Sequence, residues 1–221
     1  MGTADSKIIK EYCLANIGGV FDVGYLAKTV FKDISNDNVR QVVRRLTKSG
    51  LLKQFFKGMY LIGESDKSDE ERIIDHYLFD GEIRTGMLNG EALFYHLGLI
   101  DKKPEKVTLR SNKATRWEEW VGNIYVQTTR TVFGSGSLGS YEICVALDLI
   151  KNRHLVDVDH LAKYLELLKQ YASAYTDLGM KCIRHDYPGE YVVKLADLLE
   201  SMDISNQAVQ IDVETRWGQY S

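Results

Sequence analysis

Apolar side chains repeat at helical spacing at three places within the first 50 residues, which predicts three amphipathic helices. Asp22 is expected to cap the second helix, because a short polar side chain accepts hydrogen bonds from the free amides of a first turn. Phe21, just before this cap, is expected to pack on Leu26. Ser35 or Asn36 is expected to cap the third helix. The apolar positions of the three helices are Ile8, Ile9, Tyr12 and Cys13; Val23, Leu26, Ala27 and Val30; and Val39, Val42, Val43 and Leu46.

Two short apolar runs, at residues 51–56 and 59–62, follow the third helix and are predicted to be strands. Gly50 lies just past the helix, where a left-handed C-cap is commonly needed. Lys57 and Gly58 suit a two-residue turn with a positive charge at its tip. The connection at 31–34 is short, as a helix-turn-helix requires. The order of these elements predicts a winged helix-turn-helix domain over residues 1–63.

The face of the third helix opposite its apolar stripe is polar and basic. Asn and Gln suit adenine, and Arg suits guanine, because each can form a bidentate pair in the major groove. We therefore expect Asn38, Gln41 and either Arg45 or Arg44 to contact bases, and the other basic side chains to hold phosphates. An ordinary solvated face remains the alternative. The predicted DNA-contacting residues are Asn38, Arg40, Gln41, Arg44, Arg45, Lys48, Lys53 and Lys57.

The polar stretch 63–69 is expected to link this domain to a second, mixed α+β domain over residues 70–221, with a small sheet and several helices. Strands are expected at 106–110 and 123–129, with 131–133 as an extension of the second, and a loop at 134–140. Asn89 is expected to cap a helix that ends at Gly98, and Asp157 or Asp159 to cap a later one. The inward positions of the other helices are Ile73, Ile74, Tyr77 and Leu78; Ile143, Ala146, Leu147 and Ile150; Leu161, Leu165 and Leu168; and Val192, Leu195, Ala196 and Leu199.

Charge is divided unevenly along a chain of 221 residues with a net charge of −3. Residues 1–63 hold ten Lys and Arg against five Asp and Glu, which gives +5 and leaves −8 for the remainder. A basic N-terminal domain on an acidic body fits a DNA-binding head joined to a domain with another role. The sequence predicts double-stranded DNA as the partner, and it leaves the operator sequence and the oligomeric state open.

Composition bears on location and on metal chemistry. No run approaches the roughly 20 apolar residues of a membrane span, and the N-terminus lacks a secretory signal, so we expect a cytoplasmic protein. The three cysteines are far apart and without zinc-like spacing, and Cys13 and Cys144 are expected to be buried thiols. His154 and His160 bracket Asp157 and Asp159, the one place where His and Asp gather. We assign no cofactor, no metal ligand and no catalytic residue.

Several segments carry a family resemblance. Residues 39–46 leading to 57–60 are similar to a family helix and its Lys-Gly-x-Tyr wing. Residues 90–107 are similar to an alanine–leucine, glycine–leucine, proline stretch that opens the family's second domain, and Ser140–Lys151 resembles the helix that follows. With these features the chain resembles the AbiEi-like antitoxins of bacterial type IV toxin–antitoxin (abortive infection) systems, up to about residue 175.

The resemblance implies a transcriptional regulator that binds repeats upstream of its own operon through its N-terminal domain. It implies further that the second domain opposes a nucleotidyltransferase-like toxin without forming a stable complex with it. The same resemblance implies no enzymatic activity of the chain itself.

Two alternatives stay open. Nucleotidyltransferases place a Gly-Ser pair before a helix and an Asp-x-Asp on a strand that holds Mg²⁺, and this chain has Gly139-Ser140 and, after them, Asp157 and Asp159. Two carboxylates at i and i+2 share a face only on a strand. In the other alternative the winged helix binds an acidic protein through Arg44 and Arg45.

Overall fold

The computed structural model describes residues 3–134, 139–183 and 186–211, and it is a mixed α+β protein with small sheets, as the sequence predicts. The chain divides into two units. The first comprises Met1–Leu78 and Lys113–Thr115, and the second comprises Phe79–Asn112 and Arg116–Ser221. The helix at 69–78 thus belongs to the first unit, whereas the sequence pattern predicted it to lie in the second domain.

The first unit begins with three helices interrupted by a short strand, continues with a hairpin and ends with a fourth helix. Its three strands form one antiparallel sheet in the order β1-β3-β2. The elements are α1 (Thr3–Ala15), β1 (Val20–Asp22), α2 (Val23–Thr29), α3 (Asn36–Lys48), β2 (Leu52–Phe56), β3 (Met59–Ile62) and α4 (Asp69–Leu78).

The predicted helix ends of this unit are confirmed. The Asp22 Oδ1 atom accepts hydrogen bonds from the backbone amides of Gly24 at 2.8 Å and Tyr25 at 3.1 Å, which caps α2. The Ser35 hydroxyl accepts one from the amide of Asn38 at 3.3 Å and caps α3. Gly50 follows α3 with a φ of +81°, a conformation that glycine adopts without a steric penalty.

The core of the first unit collects the apolar stripes of α1 and α3 around aromatic side chains. Phe31 lies there, stacked on Phe21 with ring centroids 5.7 Å apart. The prediction that Val30 points inward is wrong, because α2 ends at Thr29 and the amide of Phe31 donates to the Leu26 carbonyl, so Phe31 takes the buried place. Ile8, also predicted inward, is half exposed.

The second unit contains a four-stranded sheet in the order β6-β7-β9-β8, in which β7 and β9 are parallel. Strands β7 and β9 match the predicted strands; β8 was not predicted, and 131–133 do not form a strand. The elements are β4 (Phe79–Asp80), β5 (Ile83–Arg84), β6 (Gly86–Leu88), α5 (Gly90–His96), β7 (Val107–Ser111), β8 (Glu118–Val121), β9 (Ile124–Thr128), α6 (Ser140–Lys151), α7 (Leu161–Ser173), α8 (Asp177–Cys182) and α9 (Gly189–Ser201).

Helices α6 and α9 form the centre of the second core, and the predicted inward stripe of α9 is buried throughout. Burial raises the pKa of the Cys144 thiol on α6 to about 12 and that of Cys13 in the first unit to about 11. Both thiols are free and buried, as predicted. They are therefore poor nucleophiles near neutral pH, because the thiolate is the reactive form.

The predicted inward face of α7 is wrong in part. Leu161 and Leu165 are 40% and 53% exposed, whereas Tyr164 and Ala172 are buried. The prediction of an aspartate cap is met in position only: Asp157 occupies the N-cap position of the 3₁₀ turn Val158–His160, which runs directly into α7, but its side chain makes no capping hydrogen bond. His160 occupies the N-cap position of α7, and the Asp157 carboxylate accepts a hydrogen bond from the backbone amide of Asp101 at 3.0 Å.

Asn89 occupies the N-cap position of α5, as predicted, but its side chain makes no capping hydrogen bond. Gly98, with a φ of +65°, follows the end of this helix as predicted. Residues 203–221, for which the sequence predicted no element, and the loop at 134–140 are described only in part. Of that loop, 135–138 lie outside the described residues, and so do 212–221 at the C-terminus.

Candidate functional site

The exposed face of α3 is the most strongly charged surface that the sequence analysis singled out. Val39, Val42, Val43 and Leu46 are all buried, so the helix has one fixed inward side. At 3.6 residues per turn the opposite side is occupied by Gln41, Arg44 and Lys48, with Arg40 and Arg45 at its two edges. All five of these side chains are exposed.

Arg44, Arg45 and Lys48 form no ion pair with any residue in the part of the chain that the structure describes. Arg40 lies 3.9 Å from the Asp37 carboxylate, and both side chains are largely exposed, so this pair is weak. The face therefore presents a net positive charge that nearby carboxylates do not cancel. We name it the α3 basic face, meaning Arg40, Gln41, Arg44, Arg45 and Lys48.

Asn38 differs from the other predicted site residues. It is half-buried, and its side-chain amide donates a hydrogen bond of 2.9 Å to the Asp5 carboxylate on α1. This bond joins α1 to the first turn of α3. The bond occupies one donor of the Asn38 amide and orients the side chain toward α1, so Asn38 has a structural role in addition to the one predicted.

The hairpin of β2 and β3 carries the remaining predicted residues. Lys57 is exposed at the turn, where Gly58 has a φ of +85°. The Gly58 carbonyl accepts a hydrogen bond of 2.9 Å from the amide of Val23, which fixes the turn against the start of α2. The register shifts between Gln54 and Phe56, which marks a bulge beside the turn. A positive charge thus lies at the tip of an anchored hairpin.

Lys53 on β2 is exposed but not free. Its ammonium group lies 2.7 Å from the Asp69 carboxylate at the start of α4. Since Asp69 cancels part of the charge of Lys53, the hairpin offers less positive potential than its sequence indicates. Of the eight predicted residues, seven are exposed and only Asn38 is half-buried.

Arg72 on α4 was missed by the sequence analysis, and it braces the sheet of the first unit. Its guanidinium donates hydrogen bonds to three backbone carbonyls, those of Gly18 at 2.8 Å, Gly19 at 3.1 Å and Ile62 at 2.8 Å. Burial lowers its pKa from the ordinary value, because desolvation disfavours the cation. Arg72 lies 54 residues from Gly18 and 53 residues from Gly19 along the chain, so a local sequence pattern could not reveal this role.

A buried polar cluster in the second unit was also missed. Arg110 on β7 contacts the Asp148 carboxylate on α6 at 3.3 Å and donates to the Tyr187 hydroxyl, which in turn donates to the Cys144 carbonyl at 2.8 Å. The guanidinium also lies 4.6 Å from the centre of the Tyr187 ring. Burial raises the pKa of Asp148, and the Arg110 cation opposes that shift. The cluster could not be predicted from the sequence, because β7 has an ordinary strand pattern of apolar and polar residues and α6 is mainly apolar.

The residues of the nucleotidyltransferase alternative are placed as follows. Gly139 has a φ of +83°, and a Cβ atom there would lie 2.6 Å from the Ala174 carbonyl oxygen. The Ser140 hydroxyl donates to the Val132 carbonyl at 2.7 Å. Asp157 directly precedes the 3₁₀ turn Val158–His160, and Asp159 lies within it, so neither residue is on a strand. Close packing at Gly139 and one hydrogen bond of Ser140 account for the Gly-Ser pair. The two carboxylates lack the strand geometry of that enzyme class.

No helix within the described residues combines the length and the apolar character required to cross a membrane. A scan of the chain against protein-family models finds no matching family, and a search of the curated proteins finds no match either.

Proposed function

We propose that the first unit is a winged helix-turn-helix that binds double-stranded DNA, and that the protein is a sequence-specific transcriptional regulator. The observation that carries this proposal is the α3 basic face. Three of its cations have no ion-pair partner among the described residues, and it lies opposite a fully buried valine–leucine stripe. The order of α1, α2, α3 and the β2–β3 hairpin supports the same assignment.

In this proposal α3 enters the major groove and its outermost side chains reach the bases. Gln41 can pair with adenine and Arg44 with guanine, since each forms two parallel hydrogen bonds to one base. Arg40, Lys48 and Lys57 would neutralise phosphates, which adds affinity without sequence information. Asn38 is a secondary candidate for base contact, because its side-chain amide already donates a hydrogen bond to Asp5.

Binding of purified protein to a selected DNA site and to random DNA tests the proposal. The cognate site is first obtained by in vitro selection from a random duplex library. Arg44→Ala is expected to weaken binding to the selected site by about 1–3 kcal/mol, with a smaller loss on random DNA. Lys169→Ala, an exposed cation on α7, is the matched control and is expected to leave both affinities unchanged.

Equal losses on the selected and random duplexes would contradict a base-reading role for Arg44. Absence of any retention of duplex DNA at low salt would contradict DNA binding as a whole. In that case the α3 basic face would favour an acidic protein partner, which is the second candidate for this surface.

We further propose that the regulator is the autoregulating antitoxin of a type IV toxin–antitoxin operon. Support comes from the resemblance of residues 39–46, 57–60, 90–107 and 140–151 to the AbiEi-like antitoxins. Growth rescue is the test: a nucleotidyltransferase-like toxin encoded beside the gene is expressed with and without this protein. Rescue that persists with Arg44→Ala is expected, because the antitoxin role is assigned to the second unit and repression to the first.

A further inference from the structure

Three potential metal ligands from two separate segments of the second unit lie close together. They are a carboxylate oxygen of Asp101, a carboxylate oxygen of Asp157 and an imidazole nitrogen of His160, all within 4.8 Å of one another. The Asp101 Oδ1 atom and the His160 Nε2 atom lie 2.9 Å apart. Neighbouring residues with the same side chains, His154 and Asp159, do not belong to this group.

Hydrogen bonds donated by backbone amides hold the two segments next to each other. The amide of Asp157 donates to the carbonyl of Leu99 at 3.1 Å, and Leu99 is fully buried. In return the amide of Asp101 donates to the Asp157 carboxylate at 3.0 Å. The amide of His160 donates to the Asp157 carbonyl at 2.9 Å, which fixes the 3₁₀ turn before α7. The main chain that carries all three ligands is thus ordered before any ligand binds.

The donor set discriminates among cations. Two carboxylates and one imidazole suit first-row divalent transition metals, whereas Mg²⁺ and Ca²⁺ prefer oxygen ligands alone. Ligand atoms around a tetrahedral Zn²⁺ lie about 3.4 Å apart, given bonds of about 2.1 Å. The Asp101–His160 pair would therefore open by about half an ångström, which the Asp101 side chain allows because it is 86% exposed.

Space for a further ligand adjoins the cluster. Asp157 also lines a cavity of about 460 Å³ together with Glu91, Lys102 and Lys106. We propose that Asp101, Asp157 and His160 bind one divalent transition metal ion, Zn²⁺ being the reference case, with its remaining coordination position facing this cavity. Three protein ligands and one open position are the arrangement of zinc sites that bind an exchangeable group. Water or a small anion held by Lys102 or Lys106 fits that position.

Isothermal titration of the untagged full-length protein with Zn²⁺, and with Co²⁺ as a spectroscopic probe, tests this site. One ion per chain is expected, with Co²⁺ giving the visible absorption of a four-coordinate complex. His160→Ala and Asp157→Asn are expected to weaken Zn²⁺ binding by at least about tenfold, since each removes a ligand. His154→Ala and Asp159→Asn, which alter the same residue types in the same segment, are expected to bind as the unaltered chain does.

Asp101→Asn is the variant with the smallest expected effect on folding, because this side chain is 86% exposed, and it too is expected to weaken binding. Far-ultraviolet circular dichroism of each variant without metal provides the folding control. Absence of Zn²⁺ binding by the unaltered protein would overturn the proposal. So would equal binding by His160→Ala and His154→Ala, since the ion would then lie elsewhere. The result is independent of DNA binding, because the cluster belongs to the second unit.

Discussion

The α3 basic face of the first unit and the Arg110–Asp148 cluster of the second place the same kind of charge in opposite environments. Arg44 is exposed and has no ion-pair partner in the described chain, whereas Arg110 is buried against a carboxylate and a tyrosine hydroxyl. An exposed arginine contributes little to folding and keeps its hydrogen-bond donors available. A buried arginine whose carboxylate partner is removed becomes a large destabilising charge. Substitutions at the two places should therefore separate binding from stability.

The largest expected effect is on the buried pair. Asp148→Ala is expected to lower the free energy of unfolding by about 3–5 kcal/mol, because it leaves the Arg110 guanidinium buried without its carboxylate. Urea denaturation followed by circular dichroism measures it. The double variant Arg110→Met, Asp148→Leu is expected to recover much of the loss, since apolar side chains of similar volume replace the pair. If Asp148→Ala lowered the free energy of unfolding no more than Arg44→Ala does, the two arginine environments would not differ in their contribution to stability.

Arg72 sharpens the comparison from within the first unit, because it is a buried arginine bonded to carbonyls and not to a carboxylate. Arg72→Ala is expected to lower the free energy of unfolding by about 2–3 kcal/mol, since three backbone acceptors lose their donor. Arg44→Ala in the same unit is the control, with a change within about 0.5 kcal/mol. Similar stabilities of the two variants would show that water replaces the guanidinium.

The hairpin provides a test of charge without a change in fold. Asp69→Asn releases Lys53 from its ion pair and is expected to raise affinity for duplex DNA by about twofold to fivefold at low salt. Lys57→Ala is expected to reduce the slope of log affinity against log salt by about one. Filter binding over a salt series measures both quantities. An unchanged slope in Lys57→Ala would place the hairpin outside the proposed DNA interface.

The smallest expected effect concerns acid stability. The amide of Ala208 and the hydroxyl of Tyr175 both donate to Asp177, and they hold its pKa below the ordinary value of 3.8. A carboxyl group whose pKa is lower in the folded state stabilises the fold at pH values above its unfolded pKa. This stabilisation is lost as the pH falls through the folded pKa. Burial raises the pKa of Asp148, so the contribution of this carboxyl group to stability changes with pH in the opposite direction. Asp177→Asn should therefore flatten the stability profile below about pH 4, and an unaltered profile would contradict this assignment.

Local patterns predicted the elements whose residues lie near one another in sequence. The stripe of α3, the caps at Asp22 and Ser35 and the buried face of α9 were all confirmed. Amphipathic spacing and capping are decided within a few residues, so a single sequence contains enough information for them. Five of the eight predicted site residues lie on α3 and are exposed for the same reason, because the buried stripe of this helix determines its opposite face.

Features that depend on distant contacts could not be predicted in this way. Asn38 is held by Asp5, which lies 33 residues away, and Arg72 reaches carbonyls more than 50 residues away. The exposed side of α7 was misassigned, because Leu161 and Leu165 have helical spacing but the core receives Tyr164 instead. The Asp101–His160 contact joins two loops whose separation in sequence gives no periodic signal.

Gly139 has a consequence for how functional positions are recognised by mutation. Its left-handed backbone and the nearby Ala174 carbonyl leave no room for any side chain. A saturation screen would therefore report position 139 as intolerant to every substitution, and its neighbour Ser140 would score as sensitive through the Val132 bond. Judged on tolerance alone, this pair would be mistaken for a reaction centre, although steric exclusion and one hydrogen bond suffice to explain the result.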